Sequence, residues 1–243
     1  MDGRINITYG GLSLLAYSRT VAILIPTLWR PDKMRENVDN LYAVTGLEDI
    51  DVVFIVEEDD QDSIDASKSL DAITLINKRK RNFAGAINTA VQTLDHNYLF
   101  GASDDFLFHP NWLPPLMKLS ENYGVVGAND LGNSINNGGI PSVSYLVRRD
   151  YVPRACIGYP ENLLYEGYHH NFTDTELSDC ADAQNEHVFC AESIVEHMHP
   201  SLGKSIIDPT YMLSFDHEQY YEDENLFMSR RPLWGRSDAY WPE

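Results

Sequence analysis

The 243-residue sequence has few cysteines and no long apolar run. Its three cysteines, Cys156, Cys180 and Cys190, form no Cys-x-x-Cys pair, which argues against a zinc knuckle or a disulfide framework and favours a reducing compartment. No stretch of about 18 apolar residues is present, so we expect no transmembrane helix and no stable membrane insertion. Residues 1–20 lack the basic and apolar regions of a signal peptide. These absences predict a soluble, cytoplasmic protein.

Basic residues are also scarce, because 18 Lys and Arg face 37 Asp and Glu and give a formal net charge of −19. Such a charge disfavours non-specific binding to nucleic acid, which requires cationic side chains to neutralise phosphates. One dense basic cluster stands out at Lys78-Arg79-Lys80-Arg81. It is either a solvated turn or a grip on a phosphate or an acidic acceptor. The length suits a single domain over residues 1–243.

Strand and helix patterns alternate through the first 105 residues, which is typical of repeated βαβ units and a parallel sheet. Short apolar runs predict the strands, and apolar residues at helical spacing predict the helices. The predicted strands cover residues 21–26, 51–56, 73–76 and the run from 98 that ends before Ser103, and the predicted helices cover 31–44, 63–70 and 83–94.

The second half of the sequence is less regular. We predict helices at 110–123 and 173–187, and strands at 125–128, 143–147 and 194–199. A stretch rich in Gly and Asn at 129–141 predicts a loop. The aromatic tail from residue 220 either packs across the domain or is mobile.

The most informative feature is a pair of carboxylates, Asp104 and Asp105, that directly follows a buried apolar strand. Ligands in open α/β sheets bind just beyond the carboxyl ends of such strands. Two carboxylates there suit a hard divalent cation, and a cation there suits a phosphate-bearing substrate. The alternative is a purely structural turn or helix cap.

Four motifs occur in an order that resembles glycosyltransferase family 2. They are Pro-Thr-x-x-Arg-Pro at 26–31, acids after the second strand, Asn-x-x-Gly at 82–85 and Ser-Asp-Asp at 103–105. The resemblance covers about residues 21–199 and implies the GT-A fold, a Rossmann-like α/β architecture. We therefore expect a mostly parallel central sheet flanked by helices, with a smaller acceptor-side portion. Ser103 occupies the first position of the family's usual Asp-x-Asp metal motif.

The resemblance implies a divalent cation, Mn²⁺ or Mg²⁺, on Asp105. In the family a C-terminal histidine commonly completes the metal shell. His197 and His199 are two residues apart on a predicted strand and can face the same side. Either one fits this role, and His199 is preferred because it opens the following loop.

The resemblance also implies a nucleotide-sugar site at the ends of the first strands. Asp104 would contact the ribose or sugar, and Arg30 would meet a phosphate with its guanidinium. Glu57, with Glu58 as the competing assignment, would face the nucleobase or ribose. The remaining members of the predicted site are Pro26, Thr27, Asn82 and Gly85. Asn82 and Gly85 can equally serve as an ordinary helix cap and its first turn.

Asp174 and Glu176 lie in a segment that resembles the family's acidic acceptor-side segment, where a carboxylate acts as general base. Thr173-x-x-Glu176 matches a capping box, which gives Glu176 a structural explanation and leaves Asp174 unassigned. We predict that Asp174 is the base and rank Glu176 second. His169-His170 is expected to line the acceptor pocket.

The sequence thus predicts a metal-dependent, inverting glycosyltransferase that uses a nucleotide-diphosphate sugar, with UDP-sugars favoured. Residues 20–123 would hold the nucleotide, 124–215 the acceptor, and 216–243 would form a tail. The acceptor hydroxyl is left open among a glycan, a protein, a small molecule and a hydroxylated DNA base.

Other classes also remain open. One is a catalytically inactive nucleotide- or carbohydrate-binding module, which Ser103 supports. A second is a sugar-nucleotidyltransferase, although the first strand lacks the glycine-rich loop that it would require. A third is a metal hydrolase built on His197-x-His199, for which the further ligands are not evident.

Overall fold

One mixed sheet of eight strands organises the computed structural model, which describes residues 21–45, 50–132, 142–213 and 216–236. The strands are β1 (Val21–Pro26), β2 (Ile50–Val56), β3 (Ile73–Ile76), β4 (Tyr98–Gly101), β5 (Phe106–Phe108), β6 (Val125–Asn129), β7 (Tyr145–Arg148) and β8 (His187–His197). Their order across the sheet is β3-β2-β1-β4-β7-β6-β8-β5.

The strands of the first half pair in parallel, as their alternation with helices predicts. β1 lies between β2 and β4, and β3 pairs with β2. The second half is mixed, because β7 runs antiparallel between β4 and β6, and β5 runs antiparallel to β8. β6 and β8 are again parallel. The α/β prediction is confirmed, with parallel pairs throughout the first half and both parallel and antiparallel pairs in the second.

Helices cover both faces of the sheet, so the central strands are buried on both sides. Alternate residues of β1 belong to two different hydrophobic clusters, with Ile23 in one and Leu24 in the other. Met34 of the first helix packs in the former cluster, and Ile87 of the third helix packs in the latter. The α-helices are α1 (Pro31–Thr45), α2 (Gln61–Ser67), α3 (Phe83–Thr93), α4 (Leu113–Ser120), α5 (Val152–Ala155), α6 (Thr173–Ala183), α7 (Pro209–Met212) and α8 (His217–Arg230), and 3₁₀ turns occupy Arg149–Tyr151, Pro200–Leu202 and Arg231–Trp234.

Two predictions for the second half need correction. The helix predicted at 173–187 ends at Ala183, and His187 begins β8, which extends well before the predicted strand at 194–199. The reason is tertiary, because β8 pairs with β6 along its first part and with β5 along its last. Most of the predicted loop at 129–141 lies outside the described residues.

The tail packs against the domain through α8. Phe227 of α8 and Trp234 after it are buried in a cluster with Tyr168 and Phe172. Residues 237–243, which include the aromatic Tyr240 and Trp241, lie outside the described residues. Within the described ranges, every helix falls short of the length and apolar character needed to cross a membrane.

Candidate active site

The carboxyl ends of the parallel strands meet at one edge of the sheet, and polar side chains follow several of them. Thr27 follows β1, Glu57 follows β2, the Asp104-Asp105 pair comes three residues after β4, and His197 ends β8. This edge is where α/β sheets bind their ligands. Strand order therefore brings together residues that are up to 170 positions apart in the chain.

Asp104 is buried, and protein donors satisfy both of its carboxylate oxygens. The hydroxyl of Thr27 donates to Oδ2 at 2.6 Å, and Nη1 of Arg30 donates to Oδ1 at 2.6 Å. Burial raises the pKa of Asp104 to about 6 against the opposing charge of Arg30. Arg30 also binds Asp208, since Nε and Nη2 each lie 2.8 Å from a carboxylate oxygen. Arg30 thereby joins the end of β4 to the segment that follows β8.

Asp105 differs from its neighbour because one of its oxygens accepts no hydrogen bond from the described part of the chain. Oδ2 accepts a hydrogen bond from the hydroxyl of Tyr211 at 2.8 Å and lies 3.2 Å from Nε2 of His197. Oδ1 is buried and takes no hydrogen bond from any described residue. Although burial alone would raise the pKa of Asp105, the hydrogen bond and charge of His197, together with hydrogen bonds from Ser103 and Tyr211, outweigh burial and lower it. A buried carboxylate oxygen without a partner is costly unless a ligand completes it.

The two late histidines lie beside this carboxylate. The ring centres of His197 and His199 are 5.0 Å apart, and the ring of His199 lies edge-on to Tyr211 at 5.1 Å. Nδ1 of His199 is 2.7 Å from the hydroxyl of Ser201, and burial lowers the pKa of the imidazole. In the described part of the chain, no group of three or more His, Cys, Asp or Glu side chains is placed to hold a metal ion by itself. Carboxylate and imidazole donors at this point fit a cation that takes its other ligands from a diphosphate and water.

Asp174, the predicted base, is the second residue of α6 and is partly exposed. Its Oδ1 accepts a hydrogen bond from the backbone N–H of Thr175 at 2.8 Å. Burial raises its pKa, and the nearby His170 and His197 act in the opposite direction. Asp174 therefore interacts electrostatically with His197, a member of the group formed by Asp105, His197 and His199, which we call the Asp105 cluster.

Glu176 is not available as a general base because it is held in a buried ion pair. Nε and Nη2 of Arg230 donate to its two oxygens at 2.8 and 2.7 Å, and the hydroxyl of Tyr168 donates at 2.6 Å. The predicted capping box is wrong. Phe172 occupies the cap position with a φ of 67°, no side chain caps the helix, and Thr173 is already helical.

Asn82 and Gly85 form the start of α3, so the helix-cap interpretation is confirmed. Oδ1 of Asn82 accepts the N–H of Gly85 at 2.8 Å, and its Nδ2 donates to the carbonyl of Tyr168 at 2.8 Å. A Cβ at position 85 would lie 2.0 Å from the carbonyl oxygen of Lys80. Glycine is therefore required by the protein's own backbone at this point.

Glu57 lies at the end of β2 and accepts a hydrogen bond from Nδ2 of Asn77 at 2.8 Å. Sequence reasoning missed Asn77. Its position directly after β3, at a strand's carboxyl end, is the signal that could have indicated it. Pro26 is the last residue of β1 and places Thr27 at the edge of the sheet.

Two residues of the basic cluster, Arg79 and Lys80, bind the loop at residues 166–168. Arg79 forms an ion pair with Glu166. Nζ of Lys80 donates to the carbonyls of residues 166, 167 and 168 at 3.0, 3.2 and 3.0 Å. These contacts fasten the loop that precedes α6, while Lys78, Lys80 and Arg81 are solvent-exposed, in agreement with the solvated-turn interpretation.

A cavity of about 280 Å³ lies beside the Asp105 cluster. His170 lines this cavity, whereas the ring of His169 pairs with Glu222 at 2.9 Å. His170 is solvent-accessible because it faces the cavity, yet the surrounding protein lowers its pKa. The full lining is His170, Asn171, His199, Ser201, Asp216, His217 and Tyr220.

Sequence reasoning missed Asp208 and Tyr211. Asp208 caps α7 and is followed by Pro209, a recognisable helix-start pattern. Nothing in the sequence indicates that Asp208 reaches Arg30, because the partners are 178 residues apart.

The fold and the acidic strand-end site define a GT-A glycosyltransferase. The family model for glycosyl transferase family 2 matches residues 22–170, which is more than half of the chain. The chain belongs to glycosyl transferase family 2, as its motifs suggested. No curated protein sequence matches it.

Solved structures agree with this fold. A mannosyltransferase from Pyrobaculum calidifontis, in complex with GDP-Man and Mn²⁺, is similar with a TM-score of 0.67 and 12% identity, over 93% of this chain and 67% of that one. Glucosyl-3-phosphoglycerate synthase from Mycobacterium tuberculosis, in complex with Mn²⁺, UDP-glucose and phosphoglyceric acid, gives 0.62 and 13%, over 91% and 81%. At these identities the likeness establishes the GT-A fold.

Proposed function

We propose that this chain is a metal-dependent, inverting glycosyltransferase that moves a sugar from a nucleotide-diphosphate sugar to an acceptor hydroxyl. The observation that carries the proposal is the buried Oδ1 of Asp105, which has no described partner and lies at a strand's carboxyl end. Asp105 would hold Mn²⁺ or Mg²⁺ together with His197 or His199. When bound, the cation would neutralise the diphosphate and its developing negative charge.

The two adjacent carboxylates would then have separate tasks. Both oxygens of Asp104 already accept hydrogen bonds from Thr27 and Arg30, so Asp104 fixes these two side chains. Arg30 would present its positive charge toward the phosphates. Asp105 keeps an oxygen for the cation, which supports it as the metal ligand of the pair.

Asp174 would act as the general base of a single displacement. Its carboxylate would take the proton from the acceptor hydroxyl, whose oxygen forms a bond to the anomeric carbon of the donor. The bond between that carbon and the phosphate oxygen breaks, and its electron pair leaves with the nucleoside diphosphate. One displacement inverts the anomeric centre. The raised pKa of Asp174 suits proton abstraction, and the ion pair with Arg230 removes Glu176 from this role.

The cavity lined by His170 and Tyr220 would receive the acceptor. His199, beside Asp105, also lines this cavity, and His170 interacts electrostatically with both Asp174 and Asp105. Several of the side chains that line it, including Asn171, Ser201 and Asp216, carry groups that can form hydrogen bonds with a hydroxylated molecule. The donors bound to the similar structures, GDP-Man and UDP-glucose, are the first candidates here, and we favour UDP-sugars.

A thermal-shift assay tests the donor site. UDP and GDP are added with and without Mn²⁺, and a nucleotide that binds the folded state raises the Tm. We expect a Mn²⁺-dependent rise for at least one of them in the wild-type protein. Asp105→Asn should abolish the rise. The matched control Asp65→Asn, on the exposed side of α2, should keep it.

The outcome separates the competing classes. No Mn²⁺-dependent shift with either nucleotide would overturn the proposal. A shift without release of UDP from UDP-glucose or of GDP from GDP-mannose would indicate a binding module instead. A requirement for a nucleoside triphosphate and a sugar phosphate would indicate a nucleotidyltransferase.

A further inference from the structure

A single buried carboxylate holds the turn that precedes α6. Asp223 of α8 is 1% exposed and accepts three consecutive backbone N–H groups. His169 donates to Oδ1 at 2.7 Å, and His170 and Asn171 donate to Oδ2 at 2.9 and 2.8 Å. Consecutive N–H groups around one anion form a nest, and hydrogen bonds to a charged acceptor are stronger than neutral ones. The turn is therefore fixed in one arrangement relative to α8.

The start of α6 depends on this external support. A helix normally begins with a side chain that accepts its first free N–H groups. Here Phe172 stands at the cap position in the left-handed region and offers no such group. Within the first turn, Asp174 bonds the N–H of Thr175 with its own carboxylate. The orientation of Asp174 is thus set by what holds the chain immediately before Phe172.

A second contact from α8 grips the chain after Asp174. Arg230 lies seven residues after Asp223, two helical turns along the same face. Its guanidinium makes two hydrogen bonds to Glu176. α8 therefore holds the backbone on both sides of Asp174, at residues 169–171 and at Glu176. α8 lies beyond residue 170, where the family match ends.

We infer that Asp223 is a positioning residue for the acceptor side of the active site. It acts through the 169–171 backbone, which places His170 in the cavity wall and leads into Asp174. Asp223 does not touch the substrate in this arrangement. The inference rests on the proposed function, in which Asp174 is the base.

The test compares two amide substitutions on adjacent residues of α8. Asp223→Asn keeps the side chain's shape but replaces one accepting oxygen with a donating NH₂ group. Glu222→Gln is the matched control, because Glu222 is exposed and its one ion pair within the described ranges is with the ring of His169. The assay measures release of UDP from UDP-glucose and of GDP from GDP-mannose in Mn²⁺, with water as acceptor.

Asp223→Asn is expected to lower kcat by about 10- to 100-fold, because a small misplacement of a reacting group has an effect of this size. The KM for the sugar nucleotide and the Mn²⁺-dependent thermal shift should stay within about twofold, since the donor site lies on other elements. Glu222→Gln should match the wild type. A folded Asp223→Asn protein with wild-type kcat, or with kcat lost only in proportion to the unfolded fraction, would overturn the inference.

Amide hydrogen exchange on the wild-type protein covers the case in which Asp223→Asn does not fold. The N–H groups of residues 169–171 should exchange as slowly as those in the middle of α8. Rapid exchange there would contradict the inference. A wild-type protein that binds and turns over no sugar nucleotide contradicts the proposed function, whereas normal wild-type turnover with an unaffected Asp223→Asn contradicts only the positioning role.

Discussion

The hydroxyl of Tyr211 donates a hydrogen bond to Oδ2 of Asp105 at 2.8 Å. The ring of Tyr211 also lies under the guanidinium of Arg30, 4.0 Å from its centre. α7, which carries Tyr211, therefore covers the carboxylate that we propose as the metal ligand. A carboxylate can hold a cation with both oxygens, and a cation that takes Oδ2 of Asp105 as well as the free Oδ1 would compete with this hydroxyl.

Tyr211→Phe should tighten binding of UDP in the presence of Mn²⁺, because the substitution removes the competing hydrogen bond and keeps the ring over Arg30. A hydrogen bond to a charged group is worth about 1.5–3 kcal/mol, so the Kd should fall by roughly 10-fold or more. Isothermal titration calorimetry measures it. Tyr221→Phe, on an exposed residue of α8, is the control and should change nothing. Weaker binding by Tyr211→Phe would mean that the hydroxyl contacts the donor.

The activity should depend on pH through Asp174. Burial raises its pKa above the ordinary value, and only the ionised carboxylate can accept a proton. As the pH falls through this raised pKa, kcat should fall at a higher pH than for an ordinary aspartate, whose pKa is about 3.9. The measurement is kcat for UDP release from pH 4 to pH 8.

Asp174→Asn should lower kcat by about 100-fold or more, which is the usual contribution of a general base. It should leave the Mn²⁺-dependent thermal shift with UDP unchanged. If Asp174→Asn keeps the wild-type kcat and the same fall of kcat at acidic pH, the base is a different residue.

Removal of Arg230 should destabilise the fold strongly. Its partner Glu176 is 3% exposed, so Arg230→Ala leaves a buried carboxylate whose remaining hydrogen bond, among the residues that the structure describes, is with the hydroxyl of Tyr168. Breaking a buried ion pair in this way costs about 3–5 kcal/mol. Urea unfolding measures the change in the free energy of unfolding.

The exposed pair between Lys33 and Glu36 provides the comparison, since both side chains are about half exposed or more. Lys33→Ala should cost about 1 kcal/mol or less. A similar small loss for Arg230→Ala would show that the ion pair with Glu176 contributes little to the fold.

The first half of the fold could be predicted because its signals are local. β1 and β3 have the predicted bounds, since each is a short apolar run between clear breaks. β8 could not be predicted in full. Its eleven residues form one strand because β6 and β5 pair with its two ends, which no local pattern reveals.

The candidate site divides in the same way. The ends of predicted strands located Thr27, Asp104 and Asp105 at one edge of the sheet. The sequence did not indicate which donors satisfy Asp104 and which oxygen of Asp105 has no partner, because Arg30 and Tyr211 reach them through tertiary contacts.

Gly85 illustrates a different limit. The resemblance placed Gly85 in the nucleotide-sugar site, and the structure shows the carbonyl of Lys80 against it. A sequence shows that a side chain is missing at a position, and only the packed chain shows which atoms fill the space.

The late arrival of β8 in the chain has a consequence for synthesis on the ribosome. A nascent polypeptide that has emerged only through residue 170 already contains Asp104 and Asp105, yet it lacks His197, Asp174 and the whole of α8. Under the proposed function, such a partial chain would hold the candidate metal ligand without the candidate base. Catalytic competence would then depend on the synthesis and packing of residues 171–236.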